Sequence, residues 1–324
     1  MAPTRFDILG IGNAIVDVVA PTDDSFLSRH DMHKGTMALV DAATAERLYA
    51  AMPPGQESSG GSAANTCAVA AGLGARVAYL GKIAEDQLGT VFTHDIRAVG
   101  VHFPSTPLRG GAPTARCLIL VTPDGQRTMN TFLGACVTLD ATDVDPSLVA
   151  DAAVTYLEGY LFDPPAQAAF RAAAAAAHAA GRQVALSLSD PFCVNRHRAA
   201  FRDLVAGHVD ILFANEAEIT ALYEANDFAI AAELVRADVG LAALTRSEAG
   251  SLILRGTETV QIAAEPTTVV DTTGAGDAYA AGFLAGLTAG RDLATCGRIA
   301  SIAAAEVISH YGARPQTDLR ALVG

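Results

Sequence analysis

Seven consecutive residues, 271 to 277, read Asp-Thr-Thr-Gly-Ala-Gly-Asp, and an apolar, glycine-rich stretch typical of a helix follows them. Glycines let a backbone approach a ligand closely, and the first turn of a helix leaves amide groups without intrahelical partners. Because those amides and the helix dipole favour negative charge, Gly274, Ala275 and Gly276 are candidates for an anion cradle. A helix cap would explain Asp277 alone but not the glycines around it. The pattern therefore favours a phosphate-type site.

Three familiar motifs for phosphate or acyl chemistry do not fit this chain. The lysine-bearing phosphate loop fails because Ile83 follows Gly81-Lys82 and no glycine occupies position 76. Gly10 and Gly12 follow a predicted strand, but Ile15 stands where the dinucleotide fingerprint needs glycine. No Gly-x-Ser-x-Gly elbow occurs either. The anion site is therefore of another type.

Three segments in order resemble the ribokinase-like (PfkB) carbohydrate and nucleoside kinases. Residues 271–286 resemble the C-terminal signature of that family, and residues 60–65 (Gly-Gly-Ser-Ala-Ala-Asn) resemble its N-terminal signature. Between them, residues 215–218 (Asn-Glu-Ala-Glu) resemble its Asn-x-x-Glu motif. The likeness covers essentially the whole chain. It implies one domain over residues 1–324, with a three-layer α/β/α core, a mostly parallel sheet and a small β-sheet lid.

The resemblance also implies the chemistry, which is ATP-dependent phosphorylation of a hydroxyl group with Mg²⁺. Asp277 is expected to act as general base, and the amides of Gly274, Ala275 and Gly276 to stabilise charge on the transferred phosphoryl group. Asn215 is expected to help bind the nucleotide, and Glu218 to hold magnesium through water. The alternative for Asn215 and Glu218 is an ordinary capping box at the start of a helix.

Five residues are expected to bind the acceptor. Asn13 and Asp17 match positions where the family holds sugar hydroxyls, and a carboxylate can accept from two vicinal hydroxyls. Gly60 and Gly61 are expected to form a hinge and part of the pocket, and Asn65 to bind another hydroxyl. The alternatives are a turn pair for Asn13 and Asp17, and a helix-interior residue bonded to backbone for Asn65.

On the nucleotide side, family members have a Gly-x-x-Gly turn after Lys or Thr. Here Thr245 and Gly250 are present, but Ser247 replaces the first glycine, which affects how the ATP base and ribose are seated.

Three further residues complete the expected site. Arg127 is expected to reach the phosphates from a hairpin in the lid, with a solvated surface charge as the alternative. Asp271 and Thr273 lie where several relatives bind K⁺.

Several segments resemble the bacterial adenosine kinase branch, among them residues 114–117, 130–135, 156–161, 189–192 and 309–314. A purine needs flat apolar walls, which Phe132 and Tyr160 could provide unless they are plain core residues. The leading hypothesis is phosphorylation of the 5′-hydroxyl of adenosine or a related nucleoside. The runner-up is a kinase of ribose, fructose or a keto-deoxy sugar acid, the last of which would need an arginine in the pocket. A non-catalytic sugar-binding regulator is the third, and the intact Asp277 and glycine turn argue against it.

The elements that must position these residues alternate between strand and helix. Predicted strands cover 76–80, 152–157, 183–188, 209–214 and 239–245, and predicted helices cover 86–99, 164–180, 196–206, a segment from 216, 275–289 and 293–309. Such repeats predict a parallel sheet covered on both faces. Residues 13–40 and 101–133 break the rhythm and are interpreted as β-rich lid insertions, with a hairpin turn at 123–125.

Composition narrows the class of protein. Apolar residues make up 51% of the chain, enough for a large core, while the net charge of -13 and pI of about 4.9 disfavour binding of a nucleic-acid polymer. The five cysteines show no Cys-x-x-Cys spacing, and no signal peptide or membrane-spanning stretch is visible. We therefore expect a cytoplasmic protein that acts on a small molecule, as a monomer or homodimer.

Overall fold

The computed structural model describes residues 3–324, in which strands and helices alternate over most of the length. The strands are β1 (Phe6–Ile11), β2 (Ile15–Pro21), β3 (Met37–Leu39), β4 (Gln56–Gly60), β5 (Val77–Leu80), β6 (Ala115–Val121), β7 (Arg127–Phe132), β8 (Ala152–Glu158), β9 (Gln183–Ser187), β10 (Ile211–Asn215), β11 (Leu241–Thr245), β12 (Ser251–Arg255) and β13 (Glu258–Ile262). The α-helices are α1 (Asp24–Arg29), α2 (Ala42–Ala51), α3 (Ser62–Gly72), α4 (Gln87–Ala98), α5 (Pro146–Ala150), α6 (Ala166–Ala179), α7 (Pro191–His208), α8 (Glu216–Tyr223), α9 (Phe228–Asp238), α10 (Ala275–Thr288), α11 (Leu293–Ile308) and α12 (Leu319–Val323).

The larger sheet has eight strands in the order β13-β12-β11-β10-β9-β8-β1-β5. The six strands from β11 to β5 are parallel, and β12 and β13 add an antiparallel edge. Its strands are apolar on both faces because helices cover both. Ile8 of β1 packs with α3, α10 and α11, whereas Leu9 and Ile11 pack with α6 to α9. The expected three-layer α/β/α core is confirmed.

The smaller sheet has five strands in the order β3-β7-β6-β2-β4. The two segments interpreted as insertions supply four of these strands, and β4 lies outside both. Sequence reasoning missed β4 because Gln-Glu-Ser-Ser-Gly has no apolar residue to show alternation. Residues 101–114 do not join this sheet; His102 and Leu108 instead make isolated bridges to Ala78 and Ala84, beside the larger sheet.

Two other boundaries differ from the sequence expectations. The helix predicted at 196–206 begins at Pro191, where Asp190 caps it, and non-helical dihedrals at His197 kink it. The first β-rich segment contains the short helix α1 in addition to strands. In both places a local N-cap overrides the pattern of apolar residues.

Within residues 3–324, no helix is both long enough and apolar enough to cross a bilayer.

Candidate active site

The first turns of α3 and α10 meet at a buried hydrogen bond. Ser62 Oγ donates to Asp277 Oδ1 at 2.6 Å, and the Asn65 side chain lies near enough to this carboxylate to lower its pKa. Burial raises the pKa of Asp277 to about 6, and the bonds from Ser62 and Asn65 act in the opposite direction. A desolvated carboxylate with such a pKa is ionised at neutral pH and still basic enough to accept a proton from a hydroxyl group.

The glycine turn before α10 presents open amides. Gly274 is the N-cap residue at φ 79°, and an added Cβ would lie 2.8 Å from Ala313 Cα, so only glycine fits. A Cβ on Gly276 would meet open space. Within residues 3–324, the N–H groups of Gly274, Gly276 and Asp277 donate to no acceptor. The turn can therefore bind an anion next to the Asp277 carboxylate.

One expected amide is already used. Ala275 N–H donates to the Thr272 carbonyl at 3.2 Å, which closes the turn ahead of the helix. The prediction that Ala275 supplies a free amide is wrong for this conformation, because the reverse turn that exposes the neighbouring amides uses this one.

Asp17 lies inside β2, so the alternative of a turn pair is wrong. Burial raises its pKa to about 6, the positive charges of Arg314 and Arg127 lower it, and the charge of Asp277 raises it. A Cβ on Gly60 would overlap the Asp17 carboxylate, so glycine there makes room for the acid. The carboxylates of Asp17 and Asp277 thus lie close enough for the charge of Asp277 to raise the pKa of Asp17.

Asn13 is held by a carboxylate that sequence reasoning did not assign. Its Nδ2 donates to Glu158 Oε1 at 2.6 Å, and Ala63 N–H donates to Glu158 Oε2 at 2.7 Å. Burial raises the pKa of Glu158 to about 7. Gly61 sits at φ 95°, where a Cβ would overlap the Asn13 carbonyl. Glu158 therefore fastens the loop after β1 to the start of α3; a glutamate ending an otherwise apolar strand was the available signal.

The register of the smaller sheet decides which side chains accompany Asp17. Asp17 pairs with Cys117, and Cys117 pairs with Thr131, so these three share one face. Leu39 pairs with Thr131 and extends this face with an exposed apolar side chain. Phe132 is one residue further along β7 and alternates to the opposite face, so the structure does not bring it to Asp17. We name the face of Asp17, Cys117, Thr131 and Leu39 the acceptor face.

Tyr160 lies in the short 3-10 helix after β8, and its side chain is 44% exposed, so plain core packing is wrong. Burial of its hydroxyl and the nearby charges of Asp190 and Asp277 raise its pKa. Tyr160 therefore lies at the carboxyl edge of the larger sheet, near the base.

Asn215 and Glu218 form a capping box at the start of α8. Asn215 Oδ1 accepts from Glu218 N–H at 2.8 Å, and Asn215 N–H donates to Glu218 Oε2 at 2.9 Å. The expected alternative, a capping box, is thus present. Capping alone does not account for the environment of the Glu218 carboxylate. Glu218 is only 6% exposed, and burial raises its pKa to about 7. A buried acid with a pKa shifted in this way is a candidate functional residue.

The next strand brings the predicted nucleotide turn to the same edge. Thr245 pairs with Asn215 across β10 and β11. Gly250 has φ 80°, and a Cβ there would overlap the Ile262 carbonyl. Ser247 also has a positive φ, of 50°. Ser247 therefore adopts the left-handed region, which glycine enters more readily than serine.

Arg127 is not a solvated charge. Its Nη1 lies 2.7 Å from Asp271 Oδ2, and both side chains are nearly buried. The other oxygen, Asp271 Oδ1, accepts from the Thr273 N–H and hydroxyl at 3.1 and 2.7 Å. The salt bridge joins the hairpin of the smaller sheet to the loop before α10.

Sequence reasoning also missed a network around Arg314, which follows α11. Its Nε donates to Asn65 Oδ1 at 3.1 Å, its Nη2 to Ser59 Oγ at 2.8 Å and its Nη1 to Asp95 Oδ2 at 3.2 Å. Residues 309–314 were noted only for whole-segment likeness. The alternative that Asn65 bonds to backbone inside its helix is wrong, because its amide bonds to Arg314 and Asp277.

Comparisons with known proteins show which proteins this chain resembles. The sequence model described as pfkB family carbohydrate kinase matches residues 37–319. An adenosine kinase from Sinorhizobium meliloti is 55% identical, with a TM-score of 0.89 and 98% of both chains covered. A probable sugar kinase from Rhizobium etli CFN 42 is 51% identical, with a TM-score of 0.90 and 98% of both chains covered. An adenosine kinase from Saccharomyces cerevisiae is 28% identical over 317 residues, covering 88% of this chain and 89% of its own.

Proposed function

The chain belongs to the pfkB family of carbohydrate kinases, and on that premise we propose that it transfers the γ-phosphoryl group of ATP to the 5′-hydroxyl of adenosine or a related nucleoside. The observation that carries the proposal is a desolvated carboxylate, Asp277, in the same helical turn as the open amides of Gly274 and Gly276. One group accepts a proton and the others bind negative charge.

In the proposed transfer, Asp277 takes the proton of the 5′-hydroxyl while that oxygen attacks the γ-phosphorus. The bond between the γ-phosphorus and the β,γ-bridging oxygen breaks, and its electron pair leaves with ADP. The open amides at Gly274, Gly276 and Asp277 stabilise charge on the transferred oxygens. Ala275 shapes the turn through its bond to Thr272 rather than contributing its amide.

Glu218 fits the part of a magnesium site that acts through water. Each of its carboxylate oxygens accepts from Asn215 and keeps a second lone pair for a metal-bound water. No group of three or more metal-type side chains occurs within the described part of the chain. The nucleotide phosphates would therefore have to supply most of the ligands. Mg²⁺ would neutralise phosphate charge there.

The acceptor face supports a nucleoside rather than a sugar acid. Asp17 provides hydroxyl acceptors, and the apolar side chain of Leu39 extends this face beyond Asp17. A sugar acid would need a cation, and Arg314 lies near Asp17. That arginine is however neutralised by its bond to Asp95 and by the charge of Asp17. These two carboxylates oppose the positive charge that binding of an anionic sugar would need.

Several further residues would line the pocket for the acceptor. Asn13, Gly60, Gly61 and Asn65 would shape the ribose pocket, and Tyr160 would border the acceptor near Asp277. Phe132 is not carried into the proposal, because it lies on the other face.

On the nucleotide side, Thr245 and Gly250 would border ATP, and Arg127 would act on the phosphates through the loop that Asp271 anchors. Potassium dependence stays a prediction: both oxygens of Asp271 already accept from protein donors, so other oxygens would have to supply most of a K⁺ site around Thr273.

An ATP-using enzyme that recovers nucleosides would act in the cytoplasm.

Purified protein with ATP and Mg²⁺ tests this proposal against adenosine, other nucleosides, ribose, fructose and sugar acids. We expect ADP formation to be fastest with adenosine or a related nucleoside. The matched control is 5′-deoxyadenosine, which keeps the base and the ribose hydroxyls but has no 5′-hydroxyl. It should inhibit competitively and receive no phosphate.

Two results would contradict the proposal. Faster turnover of ribose or fructose than of any nucleoside would move the substrate to the free-sugar class. ADP formation with 5′-deoxyadenosine at the adenosine rate would place the transfer on another hydroxyl.

A further inference from the structure

The segment after α11, residues 309–318, contacts the glycine turn before α10, the hairpin of the smaller sheet and the start of α3. We name it the C-terminal strap. Ala313 packs against Gly274 of the anion turn, and Gly312 N–H donates to Asp271 Oδ2 at 3.2 Å. The guanidinium of Arg127 lies over the ring of Tyr311, 5.2 Å from its centroid. The strap therefore touches both the phosphate loop and the hairpin of the smaller sheet.

A buried carboxylate anchors the strap. Glu306 Oε1 accepts from the N–H groups of Gln316 and Thr317, each at 3.0 Å, and from the Thr317 hydroxyl. Glu306 Oε2 lies 3.2 Å from His310 Nε2. Both ends of the strap are thus fastened to the last turns of α11, which leaves its middle, at Arg314, in a defined position.

Arg314 uses that position to connect three elements of the site. Its three donor nitrogens reach Asn65 of α3, Ser59 of β4 and Asp95 of α4. Asp95 Oδ2 in turn accepts from Ser59 N–H at 2.7 Å. A planar guanidinium with fixed donors can hold three such acceptors at once, which an ammonium group cannot do with the same geometry.

The hydrogen bond from Arg314 to Asn65 fixes how the Asn65 amide is oriented beside Asp277. An asparagine amide has one oxygen and one NH₂ group. Because Arg314 Nε donates, it must meet the oxygen of Asn65, and the NH₂ group is then directed elsewhere. The Asn65 side chain also interacts with the Asp277 carboxylate and lowers its pKa, as a donor to the ionised form does. Arg314 therefore selects the amide orientation in which Asn65 donates to the carboxylate.

We propose that Arg314 is a positioning residue for phosphoryl transfer, which orients the Asn65 amide so that Asn65 and Ser62 together hold the Asp277 carboxylate. This inference rests on the proposed function, since it assigns Arg314 to the base of that reaction. It also explains why the strap crosses the site: the strap delivers the one cation that bonds to α3, α4 and β4 together.

The test compares Arg314→Met, Asn65→Ala and the double variant. We expect Arg314→Met to lower kcat about 10- to 100-fold, as small misplacements of catalytic groups do, with KM for ATP little changed. If Arg314 acts through Asn65, the double variant should be no slower than Asn65→Ala alone. Losses that multiply in the double variant would overturn the proposal.

The pH profile separates positioning from structural damage. Loss of the Asn65 bond should raise the pKa of Asp277 and move the acid limb of kcat/KM to higher pH. Asp17, Glu158 and Tyr160 also face Asp277. Of these, Asp17 also loses the charge of Arg314, which moves the limb the same way. Arg314→Lys keeps the positive charge but lacks the planar guanidinium group that bonds to three acceptors. A lowered kcat in this variant, with the acid limb of kcat/KM near its wild-type pH, would support a positioning role for Arg314. Wild-type kcat and limb in both variants would overturn it.

Arg116 offers a matched control, because it is a buried arginine of the smaller sheet that pairs with Glu46 and lies over the ring of Tyr49, both in α2. Arg116→Met should lower Tm but keep kcat and the acid limb. If Arg314→Met does not fold, Arg314→Lys carries the test alone. If the wild type phosphorylates no nucleoside, the proposed substrate fails, and the Arg314 assignment is still decided crystallographically. An Asn65 side chain that keeps its bond to Asp277 in Arg314→Met would refute the assignment.

Discussion

Ser62 and Asp277 are separated by 215 positions in the chain, yet the Ser62 hydroxyl donates to the Asp277 carboxylate at 2.6 Å. The bond joins the first turn of α3 to the first turn of α10. Each helix start carries unpaired amides, so the pair places a buried carboxylate between two regions of positive partial charge. The proposed base is therefore held from the acceptor side and the phosphate side together.

The pH dependence of the wild-type enzyme should report this environment. Burial raises the pKa values of both Asp277 and Asp17 to about 6. Asp277 must be ionised to accept a proton, and an ionised Asp17 accepts from hydroxyl groups more strongly than a protonated one. Activity should thus be present above pH 6 and lost as the pH falls through about 6. A profile of kcat/KM against pH checks this, and an acid limb near pH 4 would show that neither carboxylate is desolvated in solution.

Ser62→Ala removes one of the two side-chain bonds that hold the pKa of Asp277 down. We expect the acid limb to move to higher pH by on the order of one unit, and kcat to fall because the carboxylate is less well oriented. Ser28→Ala is a suitable control, since the Ser28 hydroxyl bonds only to the Asp24 carbonyl of its own helix. A Ser62 variant with the wild-type limb would count against the bond.

Asp277→Asn should reduce turnover by about 10²- to 10⁴-fold, because the amide cannot accept the proton of the hydroxyl. Binding of ATP should persist, since the open amides of the turn belong to the backbone. Rapid-quench measurement of ADP formation and calorimetric titration with ATP together check both parts. Turnover equal to the wild type would refute the assignment of the base.

Asp17→Asn keeps the size of the side chain and removes its charge. Hydrogen bonds to a charged group contribute about 1.5–3 kcal/mol, so KM for the nucleoside should rise by about 10- to 150-fold. KM for ATP serves as the internal control and should stay close to its wild-type value. An equal rise in both constants would indicate general damage to the smaller sheet instead of a lost hydroxyl clamp.

Gly276→Ala and Gly72→Ala form a matched pair, because a Cβ at either position meets no protein atom within 4 Å. At Gly276 the methyl group would occupy the space proposed for phosphate, so kcat should fall and KM for ATP should rise. At Gly72, at the exposed end of α3, alanine should leave activity unchanged and stabilise the helix by about 0.5–1 kcal/mol. Steady-state kinetics and thermal unfolding of both variants check this, and full activity in Gly276→Ala would argue against an anion site.

Local chemistry was enough to predict much of this protein. The alternation of strands and helices predicted the layered core, since periodicity and caps act within a few residues. The glycine turn and Asp277 were recognisable for the same reason: backbone conformation and helix ends are local properties. Asn215 and Glu218 are only three residues apart, and their capping box follows from that spacing.

Long-range relationships needed the tertiary structure. Arg314 and Asn65 are 249 positions apart, and Glu158 and Asn13 are 145 apart, so no periodicity in the sequence links them. Strand register alone decides that Cys117 shares a face with Asp17 while Phe132 does not, because a shift by one residue reverses every side chain.

Sequence by itself therefore determined the kind of site, which is a helix start with open amides and an acid. Only the packing of α3, α10 and the C-terminal strap decided how that acid is held. Burial raises its pKa and the Ser62 and Asn65 side chains lower it, and both effects depend on groups brought together from distant parts of the chain.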